Sequence, residues 1–113
     1  MSEIVRFNSK QAVFQQGGTQ KLAVGLTGAN FTNDVTIPDV ANYVVIRVEG
    51  HASTTTDVCA RFLTGSGTVS TTNGIPIANL DVLVFTKDQF IAGISFISVD
   101  ANAQIFWFQW FQV

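Results

Sequence analysis

Apolar side chains recur at every second position through most of this chain, the spacing of a pleated strand with one face buried. Tyr43-Val44-Val45-Ile46-Arg47-Val48-Glu49 sets Val44, Ile46 and Val48 on one side and Tyr43, Val45, Arg47 and Glu49 on the other. Asp57 to Leu63 sets Val58, Ala60 and Phe62 against Cys59, Arg61 and Leu63. Gln20 to Leu26, Val35 to Ile37, Asp81 to Thr86, Ile94 to Val99 and Ala103 to Gln112 read as further strands, rich in Val, Ile, Phe and Thr. Turn residues separate the runs at Gly17-Gly18, Gly28-Ala29-Asn30, Pro38-Asp39, Gly50, Gly65-Ser66-Gly67, Asn73-Gly74 and Asp100-Ala101-Asn102. Val99 and Ala103 are expected to flank a tight hairpin. The pattern admits one helical turn, Lys87 to Phe90, capped by Thr86 or Asp88.

The expected fold is therefore all-β, a single antiparallel sandwich of about eight strands, jelly-roll-like or immunoglobulin-like. It fills residues 1–113 as one domain, because a chain of this length buries roughly two-thirds of its unfolded surface and supports one core. Residues 1–19, with the short apolar runs Ile4-Val5-Arg6-Phe7 and Ala12-Val13-Phe14, are open between an edge strand and an arm that docks on a neighbour.

Charge narrows the function. Only 12% of the residues are charged, against about a quarter in an average soluble domain. The six bases, Arg6, Lys10, Lys21, Arg47, Arg61 and Lys87, are dispersed, whereas a duplex-binding surface needs clustered cations, so no nucleic-acid partner is expected. Apolar runs stop far short of the roughly 20 residues that span a bilayer, and the segment beginning Ser2-Glu3-Ile4 lacks a basic region followed by an apolar stretch, so no signal peptide is expected. A lone Cys59 excludes an intramolecular disulfide and fits synthesis in a reducing cytosol. Ser, Thr, Asn and Gln number 34 against 14 charged residues, so the surface is covered by neutral hydrogen-bonding groups that pack readily against copies of themselves.

Residues that could carry chemistry do not assemble into a set. His51 follows Gly50 at a strand end, reads as a turn residue, and has no specific nucleophile or orienting carboxylate in the sequence around it. Cys59 reads as a packing residue. One His, one Cys and dispersed acids give no metal site, and Gly65-Ser66-Gly67 lacks the Gly-Lys-Ser/Thr of a phosphate loop. Asn30-Phe31-Thr32 matches a glycosylation acceptor, a match expected by chance in a chain with no secretion signal. The expectation is a protein without catalytic residues, cofactor or metal.

The C-terminal run Gln104-Ile105-Phe106-Trp107-Phe108-Gln109-Trp110-Phe111-Gln112-Val113 is the informative one, holding five of the thirteen aromatics. On a strand, Ile105, Trp107, Gln109, Phe111 and Val113 face one way, and Phe106, Phe108, Trp110 and Gln112 the other. A sandwich strand has one inner face, so one aromatic row lies outside. Three readings stand for that row: a subunit interface, a platform for sugar rings, or a surface covered by the N-terminal arm. Low charge favours the interface, with Phe106, Phe108 and Trp110, and Trp107 and Phe111, as its candidate residues. On the sugar reading, Trp107 or Trp110 stacks on the ring.

An order of loose features runs through the chain: Ile37-Pro38-Asp39-Val40-Ala41-Asn42 leading into Tyr43 to Gly50, then Ala60-Arg61-Phe62-Leu63, the small polar tract Thr64 to Thr72, and Asn73-Gly74-Ile75-Pro76-Ile77. Leu83 to Phe85, Ile94 to Ile97 and Ala103 to Trp107 complete it. In combination this resembles the small β-sandwich structural proteins of tailed bacteriophage virions. The resemblance implies a non-enzymatic capsid cement or decoration protein, made in the host cytoplasm and found in the virion. Its implied partners are copies of itself, most often as a trimer, and the major capsid protein or other virion proteins. The alternative is a carbohydrate- or receptor-binding module of the neck, tail or fibre. The terminal strand departs from the pattern in being more aromatic than it requires.

Overall fold

The computed structural model describes residues 13–14, 20–65 and 67–112. Ile4 to Phe7, the Gly17-Gly18 turn and Ser66 lie outside the described residues. Among the described residues, nine strands and two short helices occur in the order β1 (Val13–Phe14), β2 (Gln20–Val24), β3 (Ala29–Asn30), α1 (Phe31–Asp34), β4 (Tyr43–Glu49), β5 (Val58–Thr64), β6 (Ile75–Ala78), β7 (Val82–Thr86), α2 (Lys87–Ala92), β8 (Ile94–Ser98) and β9 (Gln104–Gln112).

All pairing is antiparallel and nested: β2 with β9, β3 with β8, β4 with β7 and β5 with β6. The chain is thus one long hairpin, folded back at residues 65–74 and rolled into two sheets by the β4–β9 and β5–β8 contacts. That nesting is the jelly roll, and it decides between the two sandwich topologies expected. β1 and β2 share one edge of β9, followed by β4 and β7; the second sheet runs β3-β8-β5-β6. With β1 and β2 counted as one edge position, each sheet is four strands wide, as the alternation predicts.

Several local expectations need correction. Val35 to Ile37 is not a strand, whereas Ile75–Ala78 is one. Pro76 hid it, since proline is confined to edge strands and β6 is an edge. Val99 and Ala103 do not flank a hairpin: β8 and β9 belong to different sheets, so residues 99–103 form a corner between them. The helical turn expected at Lys87 to Phe90 is present and extends to Ala92, with Thr86 as its N-cap, the Thr86 backbone N–H donating to Gln89 Oε1 at 2.8 Å.

The core is aromatic. Phe31, at the start of α1, is fully buried, with ring centroids of Phe90, Phe96, Phe108 and Trp110 at 6.0, 6.0, 5.4 and 5.7 Å. Val44, Ile46 and Val48 face inward and are fully buried, as their spacing predicts. Cys59 departs from strict alternation: the β5–β6 register shifts between Val58 and Ala60, and Cys59 and Ala60 are both buried.

The outer face of the β3-β8-β5-β6 sheet is covered in part by the chain itself. Arg61 donates from Nε to the Thr71 carbonyl at 3.0 Å and from Nη1 to the Gly74 carbonyl at 2.9 Å, drawing the small polar tract down onto β5. A Cβ on Gly74, whose φ is 142°, would meet Val69 at 2.9 Å.

Candidate functional site

The other sheet presents a different outer face. Its strand registers align the outward residues in rows: Ala23, Ile105 and Glu49; Lys21, Trp107, Arg47 and Val82; Gln109, Val45 and Val84; Phe111, Tyr43 and Thr86. Val45, Arg47, Val82, Trp107 and Gln109 line a groove of about 330 Å³. Val82 and Val84, on the edge strand, are 47% and 37% exposed, so the apolar character continues to the rim of the sheet.

Trp107 is held in place on this face. Its indole Nε1–H donates to Glu49 Oε1 at 2.8 Å, and the Lys21 ammonium lies over the ring, 5.4 Å from its centroid. A cation over an indole face contributes about 0.5–1 kcal/mol at an exposed site. The ring is therefore a fixed apolar plate, flanked in register by Lys21 and Arg47.

This placement corrects the expected interface. Phe106, Phe108 and Trp110 are all 0% exposed and belong to the core of the chain, so this row cannot meet a partner while the chain is folded. Phe108 and Trp110 stack with centroids 6.3 Å apart, and Phe96 packs against Phe106 at 4.7 Å. Of the five aromatics named from sequence, Trp107 and Phe111 are on the outer face. Gln109 carried the signal: it interrupts the 105–111 row, whereas Phe106, Phe108 and Trp110 are uninterrupted. Sequence reasoning missed Lys21, Arg47, Glu49 and Val82 as the surroundings of Trp107, because they come from three other strands. Of residues 1–19, the arm of the third reading, 1–12 and 15–19 lie outside the described residues, and Val13–Phe14 pairs at the edge of β9.

His51 and Cys59 are not brought together. His51 is exposed, and its Nδ1 accepts the Ser53 N–H at 3.0 Å, the geometry of a turn. Burial raises the Cys59 thiol pKa above its ordinary value, against the lowering effect of its backbone hydrogen bond, so the thiolate that a reactive cysteine needs is disfavoured. Among the described residues, no three His, Cys, Asp or Glu side chains cluster as metal ligands would. Asn30 sits in β3 with its backbone N–H donated to Asp34 Oδ2 at 2.7 Å.

A polar cluster with no sequence signature closes one end of the sandwich. Gln104 is fully buried; its Oε1 accepts the His51 N–H at 2.6 Å, and its Nε2 donates to Thr54 Oγ1 at 2.9 Å, Ser98 Oγ at 3.1 Å and the Asn102 carbonyl at 3.2 Å. Asp100 joins it. The Asn102 N–H, at 2.9 Å, holds this carboxyl below the usual range, outweighing the opposing effect of burial, and the Thr54 hydroxyl at 3.0 and 3.2 Å adds to the lowering. Because the folded pKa is depressed, this stabilisation is complete above the unfolded carboxyl value, near pH 4, and is lost as pH falls through the folded value. The expected result is a loss of protection at the Asn102 amide, measured against its intrinsic exchange rate at each pH, as pH falls below about 4, with the central strands still protected. In Asp100→Asn, the protection at this amide should no longer change across that range.

No protein-family model, curated protein or solved structure matches this chain.

Proposed function

We propose that this chain is a non-enzymatic structural subunit of a tailed-phage virion, a capsid cement or decoration protein, which self-associates through the outer sheet face centred on Trp107. The observation that carries the reading is that face: an apolar and aromatic surface with a fixed indole, in a chain with half the usual charge. Exposed apolar patches bounded by polar residues mark interaction sites, and tryptophan and arginine are enriched where binding energy concentrates. The proposed action is mechanical, with buried apolar area and neutral hydrogen bonds tying shell subunits together. Copies of itself, as a trimer on the family resemblance, and the major capsid protein are the proposed partners. Jelly rolls build both capsid proteins and lectins, so the fold is compatible with this reading without deciding it.

Light scattering of the purified protein tests self-association. The expected result is a mass above the 12.2 kDa of one chain, reduced in Trp107→Ser with far-ultraviolet dichroism unchanged. A single-chain mass for the parent protein overturns the reading, as does a Trp107→Ser variant that keeps its mass but melts earlier, the result expected if another segment of the chain covers the indole. Mass spectrometry of the purified particle tests the location. A copy number close to that of the shell subunit supports decoration, and a handful of copies moves the protein to the neck or tail.

The groove beside Trp107 favours one second reading, a sugar site in a neck, tail or fibre module, with Arg47 and Gln109 as hydrogen-bonding groups. Trp110 takes no part in it, being buried. A stacking sugar must displace the Lys21 ammonium from the ring face it covers. Quenching or blue-shifted tryptophan fluorescence on glycan titration supports this reading, and a flat response across a broad panel removes it.

A further inference from the structure

The outer face centred on Trp107 holds one charge without a counterpart. Of the three charged side chains in its rows, Glu49 accepts the indole N–H and Lys21 covers the ring. Arg47, exposed on β4, has no hydrogen-bonding or ionic partner among the described residues. Its guanidinium stands at the groove of about 330 Å³ that Val45, Val82 and Trp107 also line. The face is thus net positive, on a chain whose net charge is -2. A contact that covers it has to put an apolar group in the groove and a carboxylate on Arg47, because a charge desolvated without a partner costs more than the neighbouring apolar burial returns.

The chain itself displays an element that offers both. Val82 and Val84 belong to the receiving face, and of the other exposed large apolar side chains among the described residues, Val40, Leu80 and Ile91 stand within three positions of an acid. Leu80 precedes Asp81, whose carboxylate already accepts the Ala78 N–H at 2.8 Å. Ile91 shares a face of α2 with Asp88 three residues earlier and Lys87 four earlier, so a cation offsets the anion there. Val40 follows Asp39, which is exposed and has no partner among the described residues. Asp39 and Val40 are the central residues of a turn that the Ala41 N–H closes on the Pro38 carbonyl at 3.1 Å, and Val40 is 51% exposed. The turn is anchored on both sides, by Ala41 in the core and by Ile37 packed against it. It is a fixed knob, so little conformational freedom is lost when it docks.

We propose that the Pro38–Ala41 turn of a second copy of this chain seats in the groove, with Val40 against Val45, Val82 and Trp107 and Asp39 paired with Arg47. The inference rests on the reading of the Trp107 face as a self-association surface and names the part of the copy that meets it. Knob and groove are different parts of one chain, so each copy gives a turn and receives one, and the contacts are all used only when a reciprocal pair or a ring closes. The Arg47–Asp39 pair fixes the orientation, since a guanidinium fork and a carboxylate match in one plane, which an apolar contact alone does not require.

Charge reversal tests the pairing, because both residues are exposed and neither belongs to the core. Light scattering over a concentration series gives the association constant. Asp39→Arg and Arg47→Asp are each expected to weaken association by about 30-fold, with melting temperature and far-ultraviolet dichroism unchanged. Asp39→Asn, which removes the charge without reversing it, is expected to weaken it less. The double variant Asp39→Arg/Arg47→Asp restores the pair with its ends exchanged and is expected to recover most of the loss, whereas Val40→Ser weakens association and no charge change rescues it. An Asp39→Arg variant that associates like the parent, or a double variant no tighter than the weaker single one, overturns the proposal. The two readings fail separately: association lost in Trp107→Ser but kept in Asp39→Arg removes this docking mode and leaves the outer-face reading, and a single-chain mass for the parent protein removes both.

Discussion

Replacing Phe108 and Trp110 together with serine is expected to unfold the chain instead of separating subunits. Both are fully buried and both pack on Phe31. Truncating one such ring in a core costs about 3–5 kcal/mol, so the pair removes an amount comparable with the roughly 5–15 kcal/mol that holds a whole domain together. The expected observation is loss of near-ultraviolet dichroism and of a cooperative melt. A double variant that melts sharply at a reduced mass would return these residues to an interface. The same change at Trp107, one residue from Phe108 on the opposite face, is expected to leave the melt nearly unchanged. Adjacent residues of one strand thus serve different faces, Phe108 the core of the chain and Trp107 the outer surface.

Gln104→Leu is expected to be the most damaging change at a polar position. The leucine fits in volume but strands the His51 N–H and removes the donor shared by Thr54, Ser98 and the Asn102 carbonyl. Leaving a buried polar group unpaired costs about 1–3 kcal/mol. With the His51 N–H stranded and three acceptors each losing a donor, a loss of about 3 kcal/mol lowers the melting temperature by roughly 10 °C in a domain of this size. Proteolysis should then cut first at residues 51–56, the loop that Gln104 fastens to the 99–103 corner. A melt within a degree or two of the parent would mean that water replaces the amide without loss.

The strands were legible where one face was uniformly apolar. Val44, Ile46 and Val48 declare their burial by spacing alone, and the two rows of β9 are visible in the sequence, with only the choice between them left open. What was not legible depends on pairing between distant segments. Ile75–Ala78 is a strand because it lies beside β5, and its own residues, with Pro76 among them, argue against it. Phe31 falls in none of the strands read from sequence, yet it is the hub of the core, because α1 places it where both sheets converge. Gln104 looks like a polar strand residue, and its value comes from three partners about 50 positions earlier or across the corner. The surroundings of Trp107 come from four strands, and no local window contains them.

The nested pairing also fixes an order of events during synthesis. β9 is the last of these strands to leave the ribosome, yet it is an interior strand of its sheet, flanked by β1 and β2 on one side and β4 on the other. Until it emerges, β2 and β4 have no neighbour to bridge them, and Phe31 lacks Phe108 and Trp110. The innermost pair, β5 with β6, can close early, because only the 65–74 connection separates its strands. The fold must then zip outward, with its longest-range contacts forming last, which is slow for a β topology. Emergence of β9 and closure of the core are therefore nearly one event, and until then the nascent chain is an open sheet in need of protection from its neighbours on the polysome.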